Sequence, residues 1–109
     1  MARVLITGGS GFLGILLTQR LLADGHLVTS IDLLPHRLKH RHLTSVIADI
    51  RHAASLDALM AQGKFEVIFH CAALLAHGAL NKNDLWTSNV EGTRQLAHAA
   101  VKASIPHIV

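Results

Sequence analysis

At 109 residues the chain has room for one domain at most. Half of it is hydrophobic, which excludes disorder, and a formal charge of +3 does not call for a nucleic-acid partner. A lone cysteine, Cys71, excludes an internal disulfide and fits a reducing compartment, and no apolar run approaches the roughly 18 residues of a membrane helix.

The chain opens on "MARVLI", which lacks the pattern of a secretory leader, so a soluble cytoplasmic protein is expected. "RVLIT" (3–7) is short, apolar and rich in β-branched residues, as suits a strand buried on both faces of a parallel sheet. "TGGSGFLG" (7–14) follows, with four of the chain's eight glycines. From Phe12 to Ala23 the residues Leu13, Leu16, Leu17, Leu21 and Leu22 recur at helical spacing, and Gly25 ends that helix. "HLVTSID" (26–32) reads as a second strand. Residues 33–44 are polar and basic, with Pro35 as a breaker. "SVIAD" (45–49) reads as a third strand, 53–63 as a helix ended by Gly63, and "FEVIFHCA" (65–72) as a fourth strand. A loop then leads to a long helix over 84–103, about 30 Å at 1.5 Å per residue, and "SIPHIV" begins a fifth strand. Strands alternating with helices predict an α/β fold, a Rossmann-type doubly wound parallel sheet cut at about its fifth strand.

The glycines stand between a strand and a helix start. Gly9-x-Gly11-x-x-Gly14 fits the dinucleotide fingerprint, and Gly8-x-x-Gly11-x-x-Gly14 fits as well. A helix N-terminus carries unpaired N–H groups and a positive dipole end, which together bind pyrophosphate. Gly14 would let the helix sit close to the strand. Asp32 closes the next strand, 18 residues past Gly14, where the fingerprint places an acidic residue for the ribose hydroxyls. A triphosphate-cradling loop is excluded, because Ile15 and Leu16 follow the last glycine in place of a Lys-Ser or Lys-Thr pair.

With "ADI" after the third strand, "HCAA" after the fourth and "NVEGT" in the long helix, the chain resembles the N-terminal half of an extended short-chain dehydrogenase/reductase of the NAD-dependent epimerase/dehydratase group. The resemblance spans all 109 residues. It implies that Gly8, Gly11 and Gly14 line the pyrophosphate, with backbone N–H donors around Phe12 and Leu13. It implies that Asp32 holds the adenosine ribose, that Asp49 and Ile50 flank the adenine, and that Ala72 and Ala73 border the cofactor. Asn89 would support the active centre. Asp49 has an alternative use as a helix N-cap, and Ala72 and Ala73 as plain core.

The resemblance also implies chemistry from a Ser or Thr just after the fifth strand and from a Tyr-x-x-x-Lys motif. This sequence has no tyrosine and reaches Val109 before the place for that serine. Residues 1–109 are therefore expected to be the NAD(P)-binding part of an oxidoreductase, epimerase or dehydratase, inactive alone. Its substrate would be a nucleotide sugar or similar hydroxyl-bearing metabolite. The alternative is a non-catalytic dinucleotide-binding or redox-sensing module. A nucleic-acid binder using the basic loop 36–42 is disfavoured, because that loop has no aromatics.

Arg37 follows Asp32 and could pair with a cofactor 2′-phosphate, which Asp32 would repel; NAD is preferred to NADP. His36, His40 and His42 read as part of a solvated basic loop and not as metal ligands. His70 and Cys71 are strand neighbours and should face opposite ways. A homodimer through 84–103 is expected from the resemblance.

Overall fold

Val4, Leu5, Ile6 and Thr7 are each no more than 1% exposed, as a strand in the middle of a two-sided sheet requires. The computed structural model describes residues 1–71 and 87–109. Its strands are β1 (Arg3–Thr7), β2 (Leu27–Asp32), β3 (Leu43–Ile47), β4 (Val67–His70) and β5 (His107–Ile108). They pair in parallel in the order β3-β2-β1-β4-β5. The helices are α1 (Phe12–Ala23), α2 (Ala53–Gly63) and α3 (Gly92–Lys102), the last entered through a π-helical turn, Thr87–Glu91. This is the expected Rossmann-type sheet. Strand order reverses at β1, so a crevice opens between the C-terminal ends of β1 and β4, where ligands of such sheets bind.

Alternation along β1 divides the core. Leu5 joins Ile31, Ile50, Leu56, Met60, Phe65, Ile68, Leu96, Ala99 and Ala100 on the face covered by α2 and α3. Val4 and Ile6 join Leu22 and Val28 on the α1 face. Burying a Leu or Ile side chain of this kind contributes about 1.5–3 kcal/mol.

The structure corrects several boundaries. The third strand runs over 43–47, two residues ahead of the expected 45–49. β2 sets that limit: its last partner pair is Asp32–Ile47, and Asp49 turns the chain away. The fourth strand is Val67–His70, shorter than 65–72, because β1 offers it partners only from Val4 to Thr7. The described part of the expected long helix consists of the π-helical turn and α3.

α2 does not end through its glycine. Lys64 takes the left-handed conformation, with φ 48°, while Gly63 lies in the helix. A Cβ on Gly63 would collide with the Phe65 ring, so the glycine serves packing. Gly25 does end α1, with φ 87°: its N–H donates to the Leu22 carbonyl and the His26 N–H to that of Leu21.

The buried stripe of α1 is Gly14, Thr18 and Leu22, not the leucines as a set; Leu13 and Leu16 lie on the surface. Small residues let the helix approach the glycine turn, and Thr18 disposes of its hydroxyl by donating to the Gly14 carbonyl at 2.7 Å. His36, expected in a solvated loop, is 4% exposed.

Candidate functional site at the β1–β4 crevice

The turn after β1 is tightly held. The Gly8 N–H donates to the Ile31 carbonyl at 2.8 Å, and the Gly11 N–H donates back to the Gly8 carbonyl at 3.1 Å. Gly8 has φ 71°, a conformation that costs most side chains about 1–2 kcal/mol. Gly9 lies against Ser30 and Gly14 against the Gly8 carbonyl, each too closely for a Cβ. Gly11 differs. A Cβ there would meet only the Gly8 oxygen, at 3.5 Å, and its backbone is ordinary extended chain.

Gly11 is the N-cap of α1, and it supplies no capping side chain. The first turn has no acidic residue. The N–H groups of Phe12, Leu13 and Gly14 precede the helical ladder and bond to no described residue. They present a positive dipole end to the crevice.

Asp32 faces this turn. One carboxylate oxygen accepts the Ser10 N–H at 3.0 Å; the other accepts the Leu33 and Leu34 N–H groups at 2.7 and 3.3 Å. The Ser10 hydroxyl donates to the Leu34 carbonyl at 3.0 Å. The glycine turn and the end of β2 are thus joined through Asp32 and Ser10. In the sequence, Ser10 is marked only by its place between two fingerprint glycines, Gly9 and Gly11.

Asp49 accepts the Arg51 N–H at 2.9 Å and pairs with the Arg51 guanidinium, Nη2 lying at 2.6 Å. That guanidinium holds the Asp49 carboxyl below the ordinary carboxylate value. Asp49 is not the N-cap of α2; His52 holds that position, without a side-chain bond. Ile50 is 7% exposed and sits in the core, where a Cβ on Gly92 would lie 2.7 Å from its Cδ1.

At the crevice itself, Thr7 and His70 are the last register pair of β1 and β4. The Thr7 hydroxyl lies 2.6 Å from His70 Nδ1, and His70 Nε2 lies 2.8 Å from the Thr93 hydroxyl. Burial lowers the His70 pKa, so the imidazole is neutral at pH 7. Cys71 packs on the opposite, α1 face, and burial raises its pKa away from thiolate reactivity. A glycine-rich strand-to-helix turn, an acid closing β2 and a polar pair at the switch point now stand together.

The family model for the NAD dependent epimerase/dehydratase family matches residues 4–109. The chain belongs to that family. A 3-beta-hydroxysteroid dehydrogenase from Mycolicibacterium neoaurum is 40% identical over all of this chain and 31% of its own length. A UDP-glucose 4-epimerase from Mycolicibacterium smegmatis is 40% identical over 98% of this chain and 37% of its own. The chain spans about a third of the length of these two relatives. Among solved structures, the Bordetella bronchiseptica enzyme WbmG in complex with NAD and UDP is 28% identical, with a TM-score of 0.90 over 98% of this chain and 36% of that one.

Within this epimerase/dehydratase fold, Gly8, Gly11, Phe12, Leu13, Gly14 and Asp32 come together at the crevice. Asp49 and Ile50 lie past the end of β3, the first held by Arg51 and the second in the core. Asn89 is in the π-helical turn, where its carbonyl accepts the Thr93 hydroxyl at 2.7 Å. Ala72 and Ala73 lie outside the described residues. Among the described residues, no helix is long and apolar enough to cross a membrane.

Proposed function

We propose that residues 1–109 are the NAD(P)-binding part of an epimerase, dehydratase or dehydrogenase acting on a nucleotide sugar or similar hydroxyl-bearing metabolite. The observation that carries the reading is the open space at Gly11. Gly8, Gly9 and Gly14 answer demands of the protein itself, but nothing among the described residues needs a missing side chain at Gly11. A molecule approaching the α1 N-terminus does need it. A pyrophosphate fits there, on the N–H groups of Phe12, Leu13 and Gly14.

In this reading Gly8, Gly11 and Gly14 line the pyrophosphate. The free lone pairs of Asp32 accept the adenosine ribose hydroxyls, with Ser10 fixing the carboxylate. Asp49 and Ile50 border the adenine, Ala72 and Ala73 the strand end, and Asn89 supports the active centre. A bound nicotinamide supplies hydride transfer. The proton-transferring Ser and Tyr-x-x-x-Lys that the resemblance implies are not among residues 1–109.

NAD is favoured over NADP, because the Asp32 carboxylate would oppose a 2′-phosphate with which the exposed Arg37 could pair. Parallel titrations with NAD and NADP test this. Tighter NAD binding is the expected result, and no binding of either removes the whole reading.

The α3 surface suits a homodimer, with Val101 78% exposed. A monomer at high concentration in sedimentation analysis would remove that part of the reading.

A further inference from the structure

His70 has a clear geometry and no part in the function just proposed. We propose that His70, fixed as its Nε2–H tautomer, is a positioning residue that ties the glycine turn to the helix start beside Asn89. Three hydrogen bonds run in series across the crevice. Thr7 Oγ1 lies 2.6 Å from His70 Nδ1, His70 Nε2 lies 2.8 Å from Thr93 Oγ1, and Thr93 Oγ1 donates to the Asn89 carbonyl at 2.7 Å.

The last bond sets the direction of the others. A carbonyl can only accept, so the Thr93 hydrogen is committed to Asn89. The Thr93 oxygen therefore accepts the Nε2–H. A neutral imidazole protonated at Nε2 offers Nδ1 as an acceptor, and the Thr7 hydroxyl donates to it. Burial keeps the ring in that neutral form.

The two ends of the series are separate parts of the site. Thr7 is fully buried and directly precedes Gly8, while Thr93 lies in the first turn of α3. The bridge links segments 63 and 23 residues apart in the chain. A displacement of the α3 start is thereby transmitted to the turn that carries Gly8. Only the consequence for dinucleotide affinity rests on the function proposed above.

The test is a two-bond proton–nitrogen spectrum of the labelled protein at neutral pH, with His70 assigned through the backbone. Expected are a protonated Nε2 and a bare Nδ1. Thr93→Val should move the amide resonances of Gly8, Gly9 and Gly11, while Thr93→Ser, which keeps the hydroxyl, leaves them in place. NAD affinity should fall about fivefold in Thr93→Val, the loss of one hydrogen bond, and return in Thr93→Ser. A His70 protonated at Nδ1, or glycine amides indifferent to Thr93→Val, overturns the proposal. The tautomer is read on the unmodified protein, so a variant that fails to fold does not block the decision. A protein that binds no NAD but shows the bridge refutes the function and not the bridge.

Discussion

Gly14 stands so close to Gly8 that a Cβ on the first would collide with the carbonyl oxygen of the second and lie 2.7 Å from the Gly9 Cα. Helix α1 is seated on the glycine turn at this point. Both contacts are backbone and cannot swing aside. Gly14→Ala should therefore cost about 2 kcal/mol or more in urea unfolding, as an overpacked site with no rotamer to yield.

Gly11→Ala should behave differently. Its Cβ would have 3.5 Å to the Gly8 oxygen, ordinary van der Waals contact, and φ −79° suits alanine. Unfolding should change by less than about 0.5 kcal/mol. NAD affinity should fall by at least about tenfold, because the methyl group occupies the approach to the helix N-terminus. Titration calorimetry checks it; unaltered affinity would leave the open space at Gly11 without a purpose.

Asp32→Ala removes the acceptor of three N–H groups, those of Ser10, Leu33 and Leu34. The Leu33 and Leu34 bonds are exposed, where water can replace part of the loss, and the Ser10 bond is half-buried, so about 1–2 kcal/mol of stability should go. NAD affinity should drop further than NADP affinity, since the charge that opposes a 2′-phosphate is also gone. Equal losses for both cofactors would count against the role of the carboxylate in choosing between them.

Burial lowers the His70 pKa from its ordinary value of 6.5. The unfolded chain then takes up a proton as the pH falls through that value, while the folded protein does so only at lower pH. Stability from this group is thus intact above the unfolded value and declines as the pH falls through the window below it. His70→Gln has no imidazole to protonate. The stability of the unmodified protein relative to His70→Gln should shrink as the pH goes from about 8 to about 5. A pH-independent difference in melting would contradict the burial.

Two helices end through residues with a Cβ in left-handed backbone, Lys64 with φ 48° and Ser104 with φ 57°. After α3 the Ser104 N–H donates to the Val101 carbonyl and the Ile105 N–H to that of Ala100, so the turn is otherwise well formed. Ser104→Gly should stabilise by about 0.5–1 kcal/mol, because relief of the Cβ strain exceeds the added unfolded-state entropy. Thermal unfolding reads it directly.

Much of the fold was legible in the chain. β1 and α1 were placed at Arg3–Thr7 and Phe12–Ala23, because an apolar run that ends in glycines admits few other conformations. The helix Ala53–Gly63 was legible for the same reason of period. β3 was not, since its limits come from pairing with β2 across the intervening loop. The buried stripe of α1 was missed because a spacing count favours leucines, whereas Gly14 and Thr18 are chosen for their small size against the turn.

The site divides the same way. Glycine spacing and an acid at the end of β2 are local patterns, and with the resemblance they point to the family. Ser10 bonded to Asp32, Arg51 paired with Asp49, and Ile50 in the core beside Gly92 depend on distances between segments. So does the series from Thr7 through His70 to Thr93. The alternation of strands and helices and the glycine turn are local properties, because period and backbone freedom belong to neighbouring residues. Which polar groups meet at the crevice was decided only by the tertiary structure, because hydrogen bonds between residues 63 positions apart exist only once parallel strands have paired in register.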